Sequence, residues 1–239
     1  MSEMALKVGA ETYSSAIATA DRYTRWIVET FRPFIGRRLL EVGVGHGGHR
    51  GALPALERYV GIDLDAAAVA AAPRLDPSDR LLVGDVSDPA VARLLAEERL
   101  DTVLCVNVLE HIEDDGAAVA NLLGILVPGG HLLLFLPAFP ALFSAMDRLA
   151  GHRRRYVKSD LARLAARAGG TLRESRYFNP LGGLGWWANR WLPHRSLNAG
   201  AVNGQIRFFD RFALPVSRRL DPLFRGIFGQ SLVGVLEAP

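Results

Sequence analysis

The 239-residue chain has one cysteine, Cys105. An internal disulfide is therefore excluded, and nothing points to an oxidising compartment. Cys105 sits in the apolar run Val103–Val106 and reads as a small buried hydrophobe. No stretch approaches the roughly 18 uninterrupted apolar residues of a spanning helix. The opening MSEMALKVGAETYSS lacks the apolar core of a signal peptide, so the expected compartment is the cytoplasm. Internal repeats, low-complexity tracts and an obvious linker are missing too, which favours one domain over residues 1–239. Apolar residues at 49% and charged residues at 22% exclude a disordered chain, a collagen-like repeat and a coiled coil. No metal-ligand set is read. Acid is scarce in the second half. Residues 1–147 hold 12 basic and 20 acidic side chains, whereas residues 148–239 hold 16 and 5, a balance of +11. Such a split suggests an anionic partner or a solvated basic face.

What is present is a strand–helix alternation. Short apolar runs at 38–42, 59–62, 80–83, 102–106 and 131–136 alternate with helix-like segments at 48–56, 65–72, 89–98 and 115–126. That spacing predicts βαβ units, a parallel sheet and a ligand site at the carboxyl ends of the strands. A helix is predicted over 13–31, ended by Pro33. Further on, a helix at 158–168, a strand at 171–178, a Gly- and Trp-rich segment at 179–193, a helical stretch at 206–228 and a strand at 231–236 are expected. The segment at 179–228 is read as a helical cap.

Polar clusters close the first four apolar runs. Glu41-Val42-Gly43-Val44-Gly45-His46-Gly47-Gly48 follows the first, and Gly61-Ile62-Asp63 ends the second. Gly84-Asp85-Val86 follows the third and Asn107-Val108-Leu109-Glu110-His111 the fourth. Glycines allow a tight turn and close approach of a ligand to the backbone. Gly43, Gly45 and Gly48 also match the dinucleotide pattern G-x-G-x-x-G, with Asp63 as its ribose-binding acid. A nicotinamide-dependent oxidoreductase is therefore the rival reading. Glu41 argues against it, since a carboxylate beside the loop suits a cationic ligand and repels a pyrophosphate.

Taken together these motifs resemble those of class I S-adenosylmethionine-dependent methyltransferases. The Leu-Glu-His-Ile run at 109–112 is similar to the ubiquinone-biosynthesis type that acts on small molecules. The resemblance covers roughly residues 35–137, as a cofactor-binding half, with 138–230 as the substrate half. It implies a Rossmann-like, doubly wound α/β sheet of seven strands in the order 3-2-1-4-5-7-6, the last antiparallel. It also implies S-adenosylmethionine as cofactor. Glu41 with the Gly43, Gly45 and Gly47 backbone would hold its methionine part, and Asp63 its ribose. Leu64, Asp85 and Val86 would meet the adenine, and Asn107 and Val108 would lie near the sulfonium. His46 departs from the small residue the family often carries there.

The implied reaction is in-line transfer of a methyl group, chiefly a problem of positioning. A hydroxyl acceptor would also need a base, for which His111 and His152 are the candidates. The run Arg148–Tyr156 offers Arg154 and Tyr156 to an anionic substrate, and Trp186 to a lipophilic one. Exposed tryptophans with Arg190 and Arg195 nearby would instead suit a membrane surface. Tyr13 is read as part of a lid. RNA methylation is the alternative for a basic patch, without a recognisable RNA module to support it. A non-catalytic binding protein of the same fold is a further alternative. Neither the acceptor atom nor the oligomeric state is legible.

Overall fold

The computed structural model describes residues 20–45, 49–189, 204 and 206–239. Helix α1 (Asp21–Phe31) leads into β1 (Arg38–Val42), β2 (Arg58–Asp63), α2 (Ala66–Ala71), β3 (Arg80–Val83), α3 (Pro89–Ala96) and β4 (Leu100–Val106). Then come α4 (Asp115–Gly124), β5 (Leu126–Pro137), α5 (Ala145–Ala150), α6 (Lys158–Arg167) and β6 (Thr171–Phe178). A cap of α7 (Pro180–Asn189), a π-helical turn (Phe209–Ala213) and α8 (Leu214–Phe224) precedes β7 (Ser231–Glu237). The strands form one sheet in the order β3-β2-β1-β4-β5-β7-β6. Strands β1 to β5 are parallel, and β7 runs antiparallel between β5 and β6. This is the expected doubly wound sheet and strand order.

The central strands are apolar at consecutive positions because both faces are covered. Leu39 and Leu40 are both buried, and they join different clusters. On one face Leu40, Val60, Val103 and Leu134 pack with Val119 and Leu122 of α4 and Leu161 of α6. On the other, Trp26, Ile27 and Phe31 of α1 cover Leu39, Tyr59, Leu104 and Phe135. Trp26 lies on Phe178 of β6, ring centroids 3.9 Å apart.

Among the described residues one expected element is absent. The segment after the glycine loop, read as a helix over 48–56, is a single 3₁₀ turn at Arg50–Ala52. Gly51 weakens a helix there and Pro54 forbids its continuation. Strand β5 starts earlier than predicted, taking in Val127–Gly130. The part of the predicted first helix before residue 20 lies outside the described residues, as do Tyr13, His46, Gly47, Gly48, Arg190, Trp191 and Arg195.

Candidate active site

Parallel pairing lines up the carboxyl ends of β1 to β4. Val42 is level with Ile62 and Cys105, and Asp63 with Val83. The four motifs therefore share one edge. Gly43 turns the chain out of β1 with φ +76°, its N–H donating to the Ile62 carbonyl at 2.8 Å. A Cβ at Gly43 would collide with Val108 Cγ2. At Gly45 (φ +47°) the Cβ position is open, with no contact closer than 3.9 Å. Asp63 Oδ2 accepts from the Gly45 N–H and Oδ1 from the Asp65 N–H, both at 2.9 Å. The loop is thus tied to the end of β2.

Asp85 is exposed, and its Oδ1 accepts from the Ser87 N–H and hydroxyl, a local turn. Leu64 and Val83 are exposed apolar side chains on the same rim, whereas Val86 is buried in the core. Asn107 ends β4 with φ +52°, a conformation disfavoured for a side chain. Glu41 is buried, and both its oxygens are engaged within the chain. Tyr59 donates to Oε2 at 2.7 Å, and His49 Nδ1 lies 2.8 Å from Oε1. The expected contact of Glu41 with a cofactor would have to share those bonds. Sequence reasoning missed Tyr59 and His49 in this role.

The turn after β4 joins that edge to a second cluster. Val108 packs against Gly43, and two residues on Glu110 and His111 meet the segment that follows β5. His152 Nδ1 lies 2.9 Å from Asp147 Oδ1, and His152 Nε2 lies 3.7 Å from Glu110 Oε1. The His111 ring is 5.0 Å from the His152 ring, edge to face, with its Nδ1 3.3 Å from the Gly151 carbonyl. Asp147 is held by its neighbours. Arg155 Nε donates to Oδ1 at 2.8 Å, and the Ser144 N–H donates to Oδ2 at 2.8 Å in a capping box at the start of α5. The Ser144-x-x-Asp147 spacing is the sequence signal that could have revealed Asp147.

Burial sets the electrostatics of this cluster. Glu110 is 0% exposed and neither carboxylate oxygen has a hydrogen-bond partner. Burial pushes its carboxyl up to about 7, against the pull of His152 and Arg155. Burial also pushes His111 down, to about 4, with the His152 charge adding to it. Burial raises Asp147, but its His152 and Arg155 bonds outweigh that and hold it below the usual range. His111 is therefore neutral near neutral pH. With Nδ1–H toward a carbonyl, its Nε2 is left as an acceptor. His152 lies between the Asp147 and Glu110 carboxyl groups. Glu110, His111 and His152 each offer one donor atom, all within 4.8 Å of one another. The set could also close on a cation, which their separation in sequence conceals.

The predicted substrate residues fall out differently. Arg154 Nη2 donates to the Ile112 and Glu113 carbonyls, and Nη1 pairs with Asp115 at 2.9 Å. Tyr156 is buried, its hydroxyl on Asp115 Oδ2 at 3.1 Å and the Leu109 carbonyl at 3.3 Å. Arg153 binds the His111 carbonyl. The arginine run is therefore a staple that clamps the post-β5 segment to the 109–115 turn, rather than a free anion site. Trp186 does reach the cluster. The Arg155 guanidinium lies 4.7 Å from its ring centre, beside Met146 and Ala150, and its Nε1–H is buried without a partner.

A seven-stranded sheet with a reversed β7, a glycine turn after β1 and acids ending β2 and β3 define the class I methyltransferase architecture. Comparison with known proteins agrees. Residues 40–134 match the methyltransferase domain family. A ubiquinone biosynthesis O-methyltransferase of Rhodopseudomonas palustris is 32% identical over 100 residues, 41% of this chain and 39% of the relative. The match thus spans about two-fifths of the length of the curated relatives. Among solved structures, an S-adenosylmethionine-dependent methyltransferase from Mesorhizobium loti superposes with a TM-score of 0.59 at 15% identity, covering 91% of this chain and 99% of that one. The N-methyltransferase NodS of Bradyrhizobium japonicum, in complex with S-adenosylhomocysteine, gives 0.53 at 15% identity, covering 95% and 89%. At such identities these likenesses concern the fold.

Proposed function

We propose that this protein transfers a methyl group from S-adenosylmethionine to a small, lipophilic molecule, with a hydroxyl as the acceptor that best suits the site. One observation carries the reading. The turn Asn107–His111 places Val108 against the glycine loop and Glu110–His111 against His152, so a cofactor edge and a proton-holding cluster adjoin.

The edge fits the cofactor by its chemistry. S-adenosylmethionine presents a sulfonium, an ammonium, ribose hydroxyls and an adenine amine, and Asp63 and Asp85 offer acceptors alone. Leu64 and Val83 supply an apolar rim for a flat base, and the open position at Gly45 lets backbone approach a ligand. When bound, the cofactor supplies an electrophilic methyl group. The chain's own residues would then orient and deprotonate the acceptor. His111, neutral and half-buried, would take the hydroxyl proton. Asp147 fixes the His152 ring, with the Glu110 carboxyl beside it. The Trp186 ring and Met146 give the apolar wall that favours a lipophilic substrate over an anionic one, since Arg154 is engaged internally. The names of the curated relatives, O-methyltransferases, support oxygen as acceptor.

The nicotinamide reading loses support on the same geometry. A dinucleotide site seats its pyrophosphate on a helix N-terminus, and here the loop is followed among the described residues by one 3₁₀ turn. Calorimetric titration with S-adenosylmethionine, S-adenosylhomocysteine and NAD tests the proposal. The expected result is binding of the two sulfur compounds and none of NAD. Asp63→Ala is expected to weaken binding roughly 10- to 100-fold, the loss of one or two bonds to a charged acceptor. Binding of NAD alone would overturn the reading.

A further inference from the structure

Most of the large apolar side chains left in water among the described residues fall in one part of the chain. Among the described residues, eight of the twelve large exposed hydrophobics lie between Leu184 and Ile227, in the cap. Phe208, Phe212 and Val216 recur at helical i, i+4 spacing, and Leu223 and Ile227 continue the stripe with exposures of 72% and 73%. Phe208 and Phe212 touch each other, ring centroids 5.3 Å apart. Leu184 and Trp187 add to the patch from α7, which packs on α8.

The opposite side of α8 is bolted to the body by buried polar bonds. The Ser217 hydroxyl donates to Asn179 Oδ1 at 2.7 Å, and Asp221 accepts from the Asn179 N–H at 2.8 Å and from Arg176. This anchoring fixes the outward direction of the stripe. Both acids of the segment are turned inward, Asp221 as above and Asp210 onto the Tyr23 N–H at 2.9 Å. Arg207, Arg211 and Arg219 are exposed, and the Arg211 guanidinium lies 5.5 Å from the Phe212 ring centre. Exposed Glu29 of α1 pairs with Arg218 at 2.6 Å at the flank, but residues 208–227 turn no acid of their own outward, and rings with arginines are the composition of a helix lying in a membrane interface.

We propose that the outward face of residues 208–227, with Leu184 and Trp187, docks on an anionic lipid surface. A second copy of the chain is a poorer occupant, because a two-fold contact through this stripe would bring its flanking arginines together. Docking would bring the cap, and Trp186 behind it, to the layer in which lipophilic molecules dissolve. The proposal does not depend on which reaction the site performs. No helix among the described residues is long and apolar enough to cross a membrane, so the contact is peripheral.

The test is co-sedimentation of the full chain with phosphatidylcholine vesicles and with vesicles that also contain phosphatidylglycerol, at low and high salt. Binding is expected only to the anionic vesicles, and salt should weaken it. Phe208→Ser with Phe212→Ser should reduce it by at least about tenfold per ring that inserts. Arg207→Gln with Arg211→Gln should reduce it by about fivefold per charge. Thermal melts of these surface variants should match the parent and so exclude unfolding. Failure to bind anionic vesicles, or equal binding by the ring variants, would overturn the proposal. So would a concentration-dependent dimer, seen by sedimentation velocity and abolished by the same ring substitutions.

Discussion

Glu110 and His111 are neighbours in sequence with opposite pH-linked effects on stability, and single substitutions should separate them. The Glu110 carboxyl rises from its ordinary 4.5 to about 7 on folding because burial disfavours its charge. The folded state then binds the proton more tightly than the unfolded chain. Its contribution is fully present below pH 4.5 and is lost as pH rises through 7. That displacement corresponds to about 3 kcal/mol. His111 falls from 6.5 to about 4. Its contribution is present above pH 6.5 and is lost as pH falls through 4. Between roughly pH 4.5 and 6.5 the two slopes oppose each other, and the parent protein should show little net dependence from this pair. Glu110→Gln keeps the side-chain volume and removes the ionisation. Relative to the parent, the variant should gain about 3 kcal/mol between pH 4.5 and 7, with the difference level above pH 7. His111→Gln should leave the Glu110 slope uncovered, so that stability falls as pH rises across the same window. Urea unfolding at half-unit steps of pH reads both effects. Parallel curves for the parent and Glu110→Gln from pH 5 to 8 would refute the reasoning, because the buried carboxylate would then carry no penalty for its charge.

Two further changes probe the frame around the site. Gly43→Ala combines φ +76° with a collision against Val108. It should cost roughly 1–3 kcal/mol in urea unfolding. Adding Val108→Ala should recover only the steric part, and a neutral Gly43→Ala would contradict the close approach described. Asp147→Asn leaves Arg155 buried with its charge unmatched. It should destabilise by about 3–5 kcal/mol in a thermal melt, and a loss below 1 kcal/mol would mean that the Arg155 pair is not formed.

The strand-end motifs were legible because parallel strands covered on both faces are written as apolar runs, and the first polar residue after each run marks the edge. Glu41, Gly43, Asp63, Asp85 and Asn107 all fall there, although only the structure shows that Glu41 is engaged by Tyr59 and His49. Residues 49–56 form only a 3₁₀ turn in place of the expected helix because Gly51 weakens a helix and Pro54 stops it. The arginine run misled for a different reason. Composition reports charge, and charge can be spent on carbonyls as readily as on a ligand. Arg153 and Arg154 satisfy the 111–113 turn, partners that no local pattern names. Asn179 shows the same limit. It sits at φ +64°, and its backbone and side chain connect α7, α8 and Gln230, yet in sequence it is one more polar residue in a Gly-rich stretch.

Strand β7 follows the other six described strands in sequence, yet it is inserted between β5 and β6. While the chain is being synthesised, β5 is complete at Pro137, but its outer edge must wait for Ser231–Glu237. At 5–20 residues per second that interval is roughly 5 to 20 s. Throughout it, Leu132–Leu136 faces outward as an unpaired apolar strand, the kind of edge that recruits stray chains. The tie between Asn179 and Gln230 cannot form before β7 is reached either. The cap and the sheet therefore close in a single late event, and in the cell the yield of this protein should depend more on chaperone cover during that wait than on the stability of the finished fold.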